Sequence, residues 1–141
     1  MSEIHHVLGI AVLASNGAAA AWGSVAWVRR SPSKAFWYLL RVAQAVVVAA
    51  VVAGVVLLMG DEEAAAVHYV YGVSPLVVSL VSEGARITVA SQEIARVDDP
   101  DALDRRGRIL LARAIVLREI GVMTIGALLI VTLALRALAT A

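Results

Sequence analysis

Three histidines carry the most versatile chemistry in this chain: His5 and His6 near its start and His68 in mid-sequence. A neutral imidazole nitrogen ligates iron, copper or zinc, and an ordinary imidazole, titrating near pH 6.5, can also report on pH. The thioether of Met59 is a further soft ligand, and Arg136 could pair with a carboxylate such as a haem propionate. Glu3 and Glu63 offer carboxylates that could complete a copper or zinc site. A second set mixes opposite charges with an amide: Arg41, Gln44, Glu83, Arg86, Arg118 and Glu119. Such groups can hold an anion or a lipid headgroup, or carry a proton-linked gate on Glu83. They can also simply pair with one another as a belt that fixes helix register.

Other chemistries are missing from the sequence. With no cysteine there is no thiol redox pair and no cysteine-ligated zinc or iron–sulfur centre. No phosphate-binding glycine loop, zinc-protease helix motif or nucleophile elbow occurs. Ser15, Ser24, Ser74, Ser79 and Ser82 lack a histidine and acid at matching depth, and small residues in apolar helices usually serve packing. The expectation is a protein that is not an enzyme. A net charge of +1 gives no reason to expect nucleic acid.

The elements that must position these residues follow from composition. Of 141 residues, 61% are hydrophobic and 16% charged, and the mean hydropathy is +0.86. Soluble domains carry about 45 to 50% apolar and about 25% charged residues, so the expected solvent is lipid. Four stretches poor in charge, 4–28, 35–60, 64–82 and 120–139, are each long enough for a transmembrane helix. They predict an all-α polytopic membrane protein, an up-down bundle of four transmembrane helices forming one domain over 1–141. The first stretch reads as a retained span rather than a signal peptide, because the Arg29-Arg30 pair follows it and no basic segment precedes it.

Lys and Arg set the orientation. Three lie in the link 29–34 and seven in 83–119, against none in the acidic turn 60–63, so these ten of the twelve fall on one side. That side is expected to be cytoplasmic, with both termini outside. Segment 83–119 keeps a helical pattern beyond the third span, with Ile87, Ala90, Ile94 and Val97 spaced among polar residues. Asp98-Asp99-Pro100-Asp101 predicts a turn, with Asp99 as N-cap and Pro100 at the first position of a returning helix. Helices 3 and 4 should thus extend into a cytoplasmic helical hairpin. Its seven acids balance its seven bases, which argues against a polybasic lipid-binding segment.

Rotation by about 100° per residue puts His5, Gly9, Asn16, Gly23 and Trp27 on one face of the first helix, where Asn16 would seek an interhelical hydrogen bond. His68, Gly72, Pro75, Ser79, Ser82, Glu83 and Arg86 share a broad face of the third. The first and third helices run in the same direction, and their histidines lie within the first residues of each, at similar depth. Two imidazoles from parallel helices of a bundle could ligate haem b, with Met59 as an alternative ligand and Arg136 at the same level. The likeness to bis-histidine bundle cytochromes is architectural alone, without a shared sequence motif. The expected function is electron transfer or membrane anchoring within a larger complex. Alternatives are a small homo-oligomeric channel or transporter built on the inner-side cluster, and a scaffold whose hairpin 83–119 docks a cytoplasmic partner.

Overall fold

A computed structural model describes residues 2–59 and 66–139; the acidic turn, with Glu63, lies outside them. Four helices account for nearly all of these residues: α1 (Ser2–Val28), α2 (Lys34–Leu58), α3 (Ala66–Ile94) and α4 (Arg105–Ala139). No strand occurs among the described residues. The shortest helix has 25 residues, or about 37 Å at about 1.5 Å per residue, against a hydrocarbon thickness of about 30 Å. All four are long and apolar enough to cross a membrane. Large apolar side chains such as Val52, Leu80 and Leu128 lie on the outside of the bundle, the arrangement expected where the surroundings are lipid.

Local chemistry sets the helix ends. The Arg30 amide donates to the Trp27 carbonyl (3.0 Å) and the Ser31 amide to that of Ala26 (2.9 Å), a Schellman turn with Arg30 in the left-handed region at φ 49°. Ser33 caps α2 by accepting from the Phe36 amide (3.3 Å), and its hydroxyl also accepts from the Trp22 indole (2.9 Å). α3 runs through Pro75, which removes the donor for the Tyr71 carbonyl, while the Ser74 hydroxyl donates to the neighbouring Val70 carbonyl (2.6 Å).

The return into α4 differs from the sequence expectation. α3 stops at Ile94, residues 95–104 are not helical, and α4 starts at Arg105 rather than at Pro100. Asp104 is the cap, its Oδ1 accepting from the Gly107 amide (2.7 Å), whereas Asp99 closes a turn by accepting from the amides of Asp101 and Ala102. Leu103 and Asp104 fold over Gly107, where an added Cβ would lie 3.1 Å from each side chain. Gly107 is therefore the seat of the cap.

α1 packs against α2 and α4, α3 packs along α4, and α2 meets α3 over only a short stretch. One core cluster joins Ala26, Phe36, Leu40, Ile120 and Met123; a second joins Val12, Val47, Ile130 and Ala134. Glycines bring the backbones together. A Cβ on Gly23 would run into Thr124 and Phe36, one on Gly121 would lie 2.8 Å from the Trp27 ring, and one on Gly126 would strike Ser82. Arg113 donates to the Arg30 carbonyl (2.9 Å) and Arg118 to Glu93 (2.5 Å). The end of α3 is thereby tied, through α4, beside the last turn of α1.

Candidate functional site

Where α2 and α3 diverge, the bundle encloses a largely apolar cavity of about 1060 Å³, open on one side. His5 and Gly9 of α1, Gly54 of α2, His68 and Gly72 of α3, and Ala134 and Leu138 of α4 are among the residues that line it. The imidazoles of His5 and His68 stand 5.8 Å apart between ring centroids, with their planes at 70°. Small residues make this fit: a Cβ on Gly54 would lie 3.2 Å from Cε1 of His5, while one on Gly72 would meet nothing within 4 Å. Nδ1 of His5 and Nδ1 of His68 are both buried and find no hydrogen-bond partner among the described residues. Buried polar atoms are rarely left in this state, and an unpaired pair in one cavity marks a place where a ligand can satisfy them.

The remaining residues of this set are distributed unevenly. His6 and Glu3 line the same cavity but are themselves exposed. Met59 stands at the C-cap of α2, is 82% exposed and is not among the lining residues, so the alternative thioether ligand is turned away. Arg136 lies with its guanidinium 5.8 Å from the ring centroid of Tyr71, which does line the cavity. No three His, Asp or Glu side chains gather as a metal-binding group among the described residues, so His5, His6 and His68 do not form a three-ligand set. Asn16, fully buried, donates to the Val12 carbonyl of its own helix (2.9 Å) and, among the described residues, not across to another helix.

The charged set separates in two. Glu83 Oε1 accepts from Arg41 (2.6 Å) and from Gln44 (2.9 Å), while its Oε2 accepts from Arg86 (2.8 Å). Arg86 also reaches Glu119 (3.3 Å) and lies 5.6 Å from the centroid of the Trp37 ring. Two arginines and two glutamates thus balance, with Gln44 as a neutral fifth member. Arg118 belongs elsewhere, pairing with Glu93, which is buried and also receives Arg96 (2.8 Å). In the sequence Glu93 reads as one polar residue on an amphipathic face. Its position four residues before the end of a helical pattern, facing a second basic helix, was the only signal of a buried pairing role.

Fold and site together define a four-helix chain able to cross a membrane, with two imidazoles inside an apolar cavity near one end. No protein-family model, curated protein or solved structure matches it.

Proposed function

We propose that this protein is a non-enzymatic, four-span membrane protein that holds haem b between His5 and His68, for electron transfer or as a membrane subunit of a larger complex. In this reading both termini face outward, the links 29–34 and 83–119 are cytoplasmic, and the haem lies toward the outer leaflet. The convergence in one apolar cavity of two imidazoles, each with a buried Nδ1 that finds no partner among the described residues, carries the proposal. The rings stand 5.8 Å apart between centroids, near enough for one bound group to reach both. His5 and His68 would be the ligands, the open space at Gly72 would admit the flat macrocycle, and Tyr71 with Arg136 lies where propionates could reach. Bound haem supplies a one-electron redox centre, whose potential the dry, apolar walls would tune.

Absorption spectroscopy of detergent-purified protein, expressed with haem available, tests this. The expected result is a Soret band lost in His5→Ala and in His68→Ala. A missing band, or one unchanged in both variants, sinks the proposal, and stoichiometric copper or zinc in its place would reassign the pair. Topology is read separately by labelling single cysteines, which the native chain lacks. Ser31→Cys and Asp101→Cys should react only with reagent supplied from the cytoplasmic side.

The balanced pairing around Glu83 supports a fastening role for that cluster rather than a transport site, since every charge in it already has a partner.

A further inference from the structure

At the end of the bundle opposite the histidines, α1, α3 and α4 leave a second cavity of about 480 Å³, lined by Trp27, Arg30, Glu93, Arg96, Leu117 and Arg118. Three guanidiniums face one carboxylate. Glu93 commits its Oε1 to both Arg96 (2.8 Å) and Arg118 (2.5 Å), and Arg30 has no ion pair among the described residues. The cavity therefore carries an excess of positive charge, although the segment 83–119 as a whole is balanced. Its acids Asp98, Asp99 and Asp101 sit in the link between α3 and α4, and Asp104 is taken up in capping.

Arg30 is held in position at a backbone cost. It occupies the left-handed residue of the Schellman turn, φ 49°, where glycine is ordinarily favoured. Its carbonyl is clamped by Arg113 (2.9 Å), and the neighbouring Trp27 indole lies against Gly121. Arg30, exposed, with its backbone held in the left-handed region and its guanidinium without an acidic partner among the described residues, can bind an anion from outside the chain. Between His5 and Trp27, α1 rises about 33 Å, close to the hydrocarbon thickness of about 30 Å. With the histidines toward the outer leaflet, the second cavity lies at the level of the inner headgroups.

We propose that this cavity binds the phosphate of an anionic phospholipid from the cytoplasmic leaflet. Arg30, Arg96 and the outer edge of Arg118 donate to the phosphate oxygens, as planar guanidiniums do. Trp27 and Leu117 give the glycerol and the first acyl carbons an apolar wall, which a free phosphate would not use. The leaflet assignment rests on the topology proposed above; the site itself does not.

The test is to reconstitute the protein with phosphatidylcholine and phosphatidylglycerol in equal amounts and measure lipid retained after detergent extraction by native mass spectrometry. The wild type should retain phosphatidylglycerol in preference. Arg30→Gly, which keeps the turn, and Arg96→Gln, which leaves Arg118 to neutralise Glu93, should together lower that retention about tenfold. Arg29→Gln, outside the cavity, should leave it unchanged. Equal retention by wild type and the double variant overturns the site. Inorganic phosphate bound by the detergent-solubilised protein at micromolar concentration, with no preference between the two lipids, overturns the lipid as its source. Labelling that puts Ser31 on the outer side overturns the leaflet and leaves the site standing.

Discussion

His5 and His68 face each other across the bundle with 5.8 Å between their rings, and each buries an Nδ1 that no group in the described chain satisfies. This sets ligand binding against ligand-free stability. Leaving a buried polar atom unpaired costs about 1 to 3 kcal/mol, whereas an apolar ring of similar shape carries no such penalty. His68→Phe should therefore raise the thermal midpoint of the ligand-free protein in detergent, by the equivalent of about 1 kcal/mol, while abolishing the haem spectrum. A lowered midpoint would mean that the imidazole already has a partner and does not await one.

Gly126 and Ser82 test the packing of α3 on α4. An added Cβ on Gly126 would collide with Ser82 Oγ and lie 3.0 Å from its Cβ, and both residues are buried. Overpacking of this kind costs about 1 to 3 kcal/mol. Gly126→Ala should destabilise the fold by about that amount, and Ser82→Gly in the same chain should recover most of the loss. A double-mutant cycle followed by thermal unfolding in mild detergent reads the coupling. Additive effects of the two substitutions would show that the helices can shift apart at no cost.

The four helices were legible because a charge-free stretch of some twenty residues is a property of the linear sequence, independent of the partner it packs on. The approach of His5 to His68 was legible for a related reason: two helices running in one direction bring residues of equal depth to one level. Depth does not give rotation, however. Met59 sits at the end of α2 near the histidines and points away. Arg118 misses Glu83 for a different reason: with Gly126 seated on Ser82, the antiparallel register sets Arg118 level with about residue 90 of α3, within reach of Glu93. The cap of α4 was illegible because Asp98, Asp99, Asp101 and Asp104 are equivalent by type. What selects Asp104 is Gly107 three residues on, with room beneath Leu103 and the carboxylate. The basic cavity was hidden by counting charges over the whole segment 83–119, because Arg30 comes from outside that segment and, of its seven acids, only Glu93 lines the cavity.

Glu83 is the hub of the inner cluster, and its loss should be felt more than that of any one arginine bound to it. Glu83→Gln leaves Arg41 and Arg86 facing a neutral amide. Breaking a buried pair costs about 3 to 5 kcal/mol, but these side chains are 25% to 53% exposed, so about 2 kcal/mol is expected. Arg41→Gln, with half its side chain at the surface and Arg86 still on Glu83, should cost less than about 1 kcal/mol. Unfolding in a graded detergent series distinguishes them. In liposomes, wild type and Glu83→Gln should show equal ion flux; flux present in wild type and abolished in the variant would overturn the fastening role and favour a channel.

Gly107 offers a case where the usual rule for helices should fail. Glycine to alanine inside a helix ordinarily stabilises by about 1 kcal/mol, because the backbone loses less entropy on folding. Gly107 lies in the first turn of α4, where a Cβ would sit 3.1 Å from both Asp104 Oδ1 and Leu103 Cδ2. Those atoms must yield for alanine to fit, and the cap bond from the Gly107 amide to Asp104 (2.7 Å) weakens as they do. Gly107→Ala should consequently be neutral or destabilising, and Asp104→Ala should cost about 1 kcal/mol through loss of the cap. In the Asp104→Ala background one of the two obstructing groups is gone, so Gly107→Ala should then recover part of its normal benefit. Amide hydrogen exchange over the first turn of α4 measures this locally, where a global midpoint could be dominated by the spans. The expected pattern is faster exchange in Gly107→Ala than in the wild type, and slower exchange in the double variant than in Asp104→Ala alone. Slower exchange in the single variant would show that the cap does not hold the turn.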